Sequence, residues 1–145
     1  MSYAAVPELR SRLGASVFDE VYGESNEPDF SDLTGAADDL AAAAAEIDGV
    51  AGTRFTVPVA AAAARPLLAD WQLTLAEERA YARSAGASAP EKLKERVAQV
   101  RKYLEMVLDG RFRIPGAVDG ANGIGTYLTT EADAPNFDRE SMGGF

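Results

Sequence analysis

The chain has 145 residues, 47% of them hydrophobic, a net charge of −9, and neither histidine nor cysteine. That is enough chain for one domain with its own core, and it excludes disulfides, thiolate zinc sites, cysteine nucleophiles, Ser-His-Asp triads and imidazole ligands. So acidic a surface repels phosphate, which argues against nucleic-acid binding through Lys and Arg, though not against a surface past which DNA slides.

The opening "MSYAAVPEL" lacks a basic stretch followed by an apolar run, so no signal peptide is expected. No run approaches the roughly 18 apolar residues of a membrane span, and the expectation is a soluble protein.

"AVPELRSRLG" predicts a short helix. Pro7 suits a first turn, Glu8 faces the positive end of the helix dipole, Arg10 and Arg12 face the negative end, and Gly14 is a C-cap. "ASVFDEVYG" continues as a second short helix with Val17, Phe18, Val21 and Tyr22 on its apolar side. Gly23 to Asp32 is polar, contains proline and has no period, so it is a loop; Ser31 or Asp32 offers an N-cap. From Leu33 to about Val50 the pattern is helical. Leu33, Ala37, Leu40, Ala44, Ile47 and Ala51 form a narrow apolar stripe, with Asp38, Asp39, Glu46 and Asp48 off it. Gly49 and Gly52 end this helix.

"TRFTVPV", Thr53 to Val59, is too β-branched and too short for another helix and predicts an extended arm. A lone strand in a helical chain needs partners for its backbone groups. Those partners come either from the chain's own helices or from a second subunit, through Arg54, Phe55, Val57 and Val59. Pro66 opens a third long pattern, with Leu67, Leu68, Trp71, Leu75 and Tyr81 or Ala82 at helical spacing. After the small-residue turn Ser84 to Pro90, a last helix runs to about Asp109 on Leu93, Val97, Val100, Leu104 and Val107 or Leu108, with Gly110 as its cap. Two long helices joined by so short a turn form an antiparallel pair.

Beyond "RFRIPG" no period holds. The predicted organisation is a helical part over 1–110 and an extended docking tail over 111–145, in an all-α small helical bundle. Such a tail buries too little apolar surface to order itself. Its spaced residues Phe112, Ile114, Tyr127, Leu128, Phe137, Arg139, Met142 and Phe145 are instead candidate anchors on a neighbour or partner.

Catalytic readings are weak. Glu46 and Asp48 stand two apart on a helix and do not face each other; Glu77 and Glu78 diverge for a similar reason. "DGANGIG", Asp119 to Gly125, fits neither a dinucleotide fingerprint nor a calcium loop. Trp71 sits on an apolar stripe and belongs to the core. Arg111 and Arg113 flank Phe112 and either complement a helix C-terminus or form a docking patch. No catalytic residue, cofactor or metal is expected.

Three stretches carry a resemblance to the Mu-like phage head-tail connector (adaptor) family. "SYAAVPELRSRLG" is similar to the family's opening. "AAAEIDGVAGTRFTVPV" with "RPLLADW" is similar to its middle motif, and "NFDRESMGGF" resembles its C-terminus. Val50, Ala51 and Phe55 depart from that middle motif. The resemblance implies a non-enzymatic helical protein of the virion neck, assembled from the host cytoplasm. Copies would form a ring, usually a dodecamer, on the portal, extending the DNA channel and offering a platform to stopper or tail-completion proteins. In such a ring Asp38, Asp39, Glu46 and Asp48 are the candidates for an acidic channel lining. Two other expectations stand beside it: a stopper or tail-completion protein of the same neck, and an acidic module that mimics DNA.

Overall fold

A computed structural model describes residues 2–23, 34–84 and 88–120, and they form an all-α bundle, the class the sequence predicts. Two short helices, α1 (Val6–Leu13) and α2 (Ala15–Tyr22), precede three long ones, α3 (Thr34–Ala51), α4 (Arg65–Arg83) and α5 (Glu91–Leu108). No helix among the described residues is long and apolar enough to cross a membrane.

The helix ends follow local chemistry. The Glu8 carboxylate accepts the Ala5 N–H at 2.7 Å and so occupies a donor at the start of α1. Gly14, at φ +83°, closes α1 with its N–H on the Arg10 carbonyl (2.9 Å) and lets α2 start at once in a new direction. Gly110, at φ +79°, does the same after α5.

The three long helices each pack on the other two, and α1 and α2 lie against α4. Enclosed on so many sides, α4 is buried continuously from Trp71 to Glu77, although Gln72, Thr74 and Glu77 are polar. Leu68, Trp71 and Leu75 point inward as their spacing predicts, and Ala80 extends the buried face while Tyr81 is half-buried. On α3 the buried apolar set is Ala36, Leu40, Ala43, Ala44, Ile47 and Ala51, with Asp39 buried beside it, and Ala37 is exposed. Leu40 and Ile47 fix which face turns inward. The surrounding alanines then differ too little from one another for the stripe to be placed to the residue. On α5, Leu93, Val97, Val100, Leu104 and Val107 are buried and Leu108 is not.

Residues 111–120 return to the helices beyond the predicted boundary at 110: Ile114 and Ala117 are core residues. Phe55 forms an antiparallel bridge with Asp119, the Thr56 N–H donates to the Val118 carbonyl (2.7 Å), and the Gly120 N–H donates to the Arg54 carbonyl (3.0 Å). The seam between residues 54–56 and 118–120 therefore closes within one chain.

Candidate functional site

The strongest polar groups of the bundle hold its own elements together. The Gln72 side chain is saturated: Oε1 accepts the N–H groups of Tyr3 and Ala4, both at 2.8 Å, while Nε2 donates to Ser2 Oγ (2.6 Å) and to the Leu40 carbonyl (2.8 Å). One buried amide thus ties the N-terminal segment and α3 to α4. The Tyr3 hydroxyl extends the tie, donating to Asp48 at the end of α3 and accepting the Val59 N–H at 3.0 Å. Burial, and then the hydrogen bond to the Asp48 carboxylate, raise the Tyr3 phenol to about 12.

Two carboxylates do comparable work elsewhere. Asp39 accepts the Tyr22 hydroxyl at 2.6 Å and a two-pronged contact from Arg83, at 2.7 and 3.0 Å, so it clasps α2, α3 and α4. Burial pushes the Tyr22 phenol well above its ordinary value, with Asp39 pushing the same way. Glu77 faces inward from α4, with Oε2 at 2.9 Å from Arg96 of α5 and Oε1 at 3.8 Å from Arg12 of α1. Burial raises its pKa even though both guanidiniums oppose the shift. Glu78 diverges from it, as expected for a sequence neighbour on a helix, and pairs with Arg101 (2.6 Å).

The residues singled out in the sequence fall into three groups. In the arm, Phe55 and Val59 are core residues, Val57 is half-buried, and the Val57–Pro58 peptide is cis. The Arg113 guanidinium lies 5.6 Å over the Phe55 ring. Arg54 reaches across Gly110 toward the Leu108 carbonyl, 3.5 Å away. The backbone pairing that the described residues show for the arm is with residues 118–120 of the same chain.

In the predicted tail, Phe112 and Ile114 are not free anchors. Ile114 is fully buried, and Phe112 packs its ring 5.9 Å from Trp71 and 5.4 Å from Tyr103, in a cluster where Trp71 and Tyr103 stack at 5.8 Å. A single turn after α5 folds both back onto the helices. Tyr127, Leu128, Phe137, Arg139, Met142 and Phe145 lie outside the described residues.

Among the acidic candidates, Asp39 is buried against Arg83 and Asp48 receives the Tyr3 hydroxyl. Glu46 sits between Arg79 and Arg101, both at 3.3 Å. Asp39, Glu46 and Asp48 thus sit where neighbouring elements approach, and Asp38 is the one of the four that is exposed. Beside them, a groove of about 350 Å³ runs between the N-terminal residues and α3, lined by Ala4, Ala5, Ala37, Ala41 and Ala45, with Asp48 also on its wall.

The family described as Bacteriophage Mu, Gp36 matches residues 3–123. The chain belongs to that family. It is therefore a protein of the Mu-like phage class, with a part in virion structure or morphogenesis. The Gp36 match begins at Tyr3, the residue tied to Gln72, and takes in all five helices and the seam that follows them. The terminal landmark "NFDRESMGGF" and all six outlying candidate anchors fall beyond the Gp36 match. No curated protein matches the chain.

Gln72 and Tyr3 carry the central tie, and sequence patterning does not point to them. A lone Gln between Trp71 and Leu73 gives no motif. The available signal is weaker: three polar residues, Gln72, Thr74 and Glu77, within a stretch otherwise rich in large apolar side chains.

Proposed function

We propose that this Gp36-family chain is the head-tail adaptor of a phage neck. Copies form a ring beneath the portal, twelve by analogy with adaptors of this kind. The ring extends the DNA channel and joins capsid to tail, without catalysis of its own. It functions in the virion, after assembly in the host cytoplasm.

The observation that supports this best is the inward use of the polar groups. Gln72, Asp39, Asp48 and Glu77 each bind other elements of the same bundle. That is the arrangement of a rigid building block, and family membership supplies the phage setting. DNA passes such a ring without being held, because the chain carries a net charge of −9 and repels phosphate. The portal contact is assigned to the residues that follow the seam, with Tyr127, Leu128, Phe137, Arg139, Met142 and Phe145 as anchors. The platform below serves a stopper or tail-completion protein. A DNA mimic would need carboxylates arrayed at phosphate-like spacing over one face, and the inward pairing of Asp39, Glu46 and Asp48 counts against it.

The test is binding to purified portal rings of the same phage. The full chain is expected to associate, and a chain ending at Pro135 to lose most of that association. Undiminished binding by the shortened chain would remove the assignment of Phe137, Arg139, Met142 and Phe145 to the portal.

A further inference from the structure

The groove beside α3 has an apolar floor and apolar rims. Val6, Leu40 and Ala44 are buried beneath it, and Ala5, Ala41 and Ala45 stand exposed along its edges. From Ala37 to Asp48 it runs about 16 Å at the helical rise. Its volume of about 350 Å³ is that of a site for a few large side chains. The rims are alanine, so the bundle itself sends nothing large into the space. Asp38, next to Ala37, is exposed, and Asp48 on the wall receives the Tyr3 hydroxyl. With these two carboxylates at its ends, the groove selects an apolar segment that carries no negative charge.

The described chain ends beside the same helix. The Gly120 N–H donates to the Arg54 carbonyl and the Arg54 N–H donates to the Ala51 carbonyl, both at 3.0 Å. Gly120 therefore lies at the C-terminal end of α3, the end at which Asp48 stands. The eleven residues from Gly120 to Thr130 carry no charge, and Ile124, Tyr127 and Leu128 are their large apolar side chains. Residues 131–140 carry four carboxylates and one arginine, which Asp38 and Asp48 disfavour. The seven steps from Gly120 to Tyr127 span at most about 25 Å, more than the length of the groove. A segment tethered this closely meets its own groove at an effective concentration on the order of millimolar, far above that of a second copy in dilute solution.

We propose that Tyr127 and Leu128 occupy the α3 groove of their own chain while that chain is free. Two of the anchors assigned above to the portal are then stowed against the bundle, and portal binding must first displace them. The apparent affinity for the portal is lowered by the fraction of chains whose groove is filled. The portal half of this inference deepens the adaptor reading and rests on it; the docking in the groove does not.

The absence of cysteine makes the test direct. A full-length Ala41→Cys/Thr129→Cys chain is treated in dilute solution with a short bis-maleimide. Beside it runs a Gln99→Cys/Thr129→Cys chain, whose first thiol lies on the exposed face of α5. The Ala41 pair is expected to link within one chain at least about fivefold faster than the Gln99 pair, at a rate unchanged by roughly tenfold dilution. Adding Ala45→Glu, a charge at an exposed rim position, is expected to slow that link several-fold. Equal rates for the two pairs, links formed mainly between chains, or indifference to Ala45→Glu would each overturn the proposal. Portal binding is measured separately, on the parent and on a chain carrying Ala45→Glu alone, which is expected to bind several-fold more tightly. Equal portal affinities would overturn the stowing of the anchors. A parent that binds portal rings without a preferred Ala41 link refutes the docking and leaves the adaptor reading standing. A preferred link with no portal binding by either chain refutes the adaptor reading and leaves the docking in place.

Discussion

The Oε1 atom of Gln72 accepts the backbone N–H of Tyr3 at 2.8 Å, joining residues 69 positions apart in the middle of the bundle. The same oxygen holds Ala4, and the amide nitrogen holds Ser2 and Leu40. Replacing Gln72 with Leu would leave the Tyr3 and Ala4 donors without that partner, while the Leu40 carbonyl, inside α3, would keep its place in the helix and lose only its second bond. Unmet buried groups cost roughly 1–3 kcal/mol each, partly offset by water and relaxation, so a loss of about 2–4 kcal/mol is expected in denaturant unfolding. A Gln72→Leu chain as stable as the parent would show that the tie contributes nothing.

Tyr3 sets an alkaline limit. Its phenol titrates near 10 when unfolded and at about 12 in the fold, so the folded state keeps the proton more firmly. The associated stability is fully present below pH 10 and is lost as pH rises from 10 through 12. Tyr22, shifted in the same direction, steepens that decline. Tyr3→Phe is expected to be weaker at neutral pH by about 1–2 kcal/mol and to lose stability less steeply between pH 10 and 12. Circular dichroism melts across that range decide it, and parallel slopes would contradict the assignment.

Glu77 acts at the acid side with the sign set by burial. Its raised pKa means that the folded chain binds a proton more readily than the unfolded one, whose reference value is 4.5. Ionisation of Glu77 therefore erodes stability as pH climbs from about 4.5 through the raised value. Glu77→Gln keeps the shape and an acceptor for Arg96, and should remove that contribution. The difference in unfolding free energy between variant and parent is expected to move in the variant's favour as pH increases through this window. A constant difference would count against a raised pKa.

Gly110 tests the end of α5. Its φ of +79° is a left-handed conformation, and a Cβ there would stand 2.6 Å from the Arg54 guanidinium. Gly110→Ala is expected to cost about 1–2 kcal/mol from strain alone. It should also displace Arg54 from the Leu108 carbonyl. An Arg54→Ala background, which removes the obstructing group, should show a smaller penalty for the same glycine change. Equal penalties in both backgrounds would mean that backbone strain is the whole effect.

How far the sequence reached depended on the range of the interactions involved. α5 was legible because Leu93, Val97, Val100 and Leu104 contrast sharply with the charged residues between them. α3 was legible as a helix but not as a face, since Ala36 and Ala37 are chemically alike and only tertiary packing separates them. The arm's extended character was visible in Thr53 to Val59. Its partner was not, because Val118 to Gly120 lies some sixty positions on in a stretch with no strand pattern. The site depended most on such distant pairs: Asp39 with Arg83, Glu77 with Arg12, and Gln72 with Tyr3 are each set by how helices cross. Periodicity carries no record of that, so carboxylates that looked solvent-facing proved to be ties.

The enclosure of α4 has a consequence for motion. Trp71 to Glu77 touch packed neighbours on every side, so no small opening of one helix brings their backbone amides to water. Deuterium uptake at these seven positions should be the slowest in the chain and should report the free energy of opening the entire bundle. Residues 118–120, held at the edge by a two-bond seam, should exchange through local opening long before.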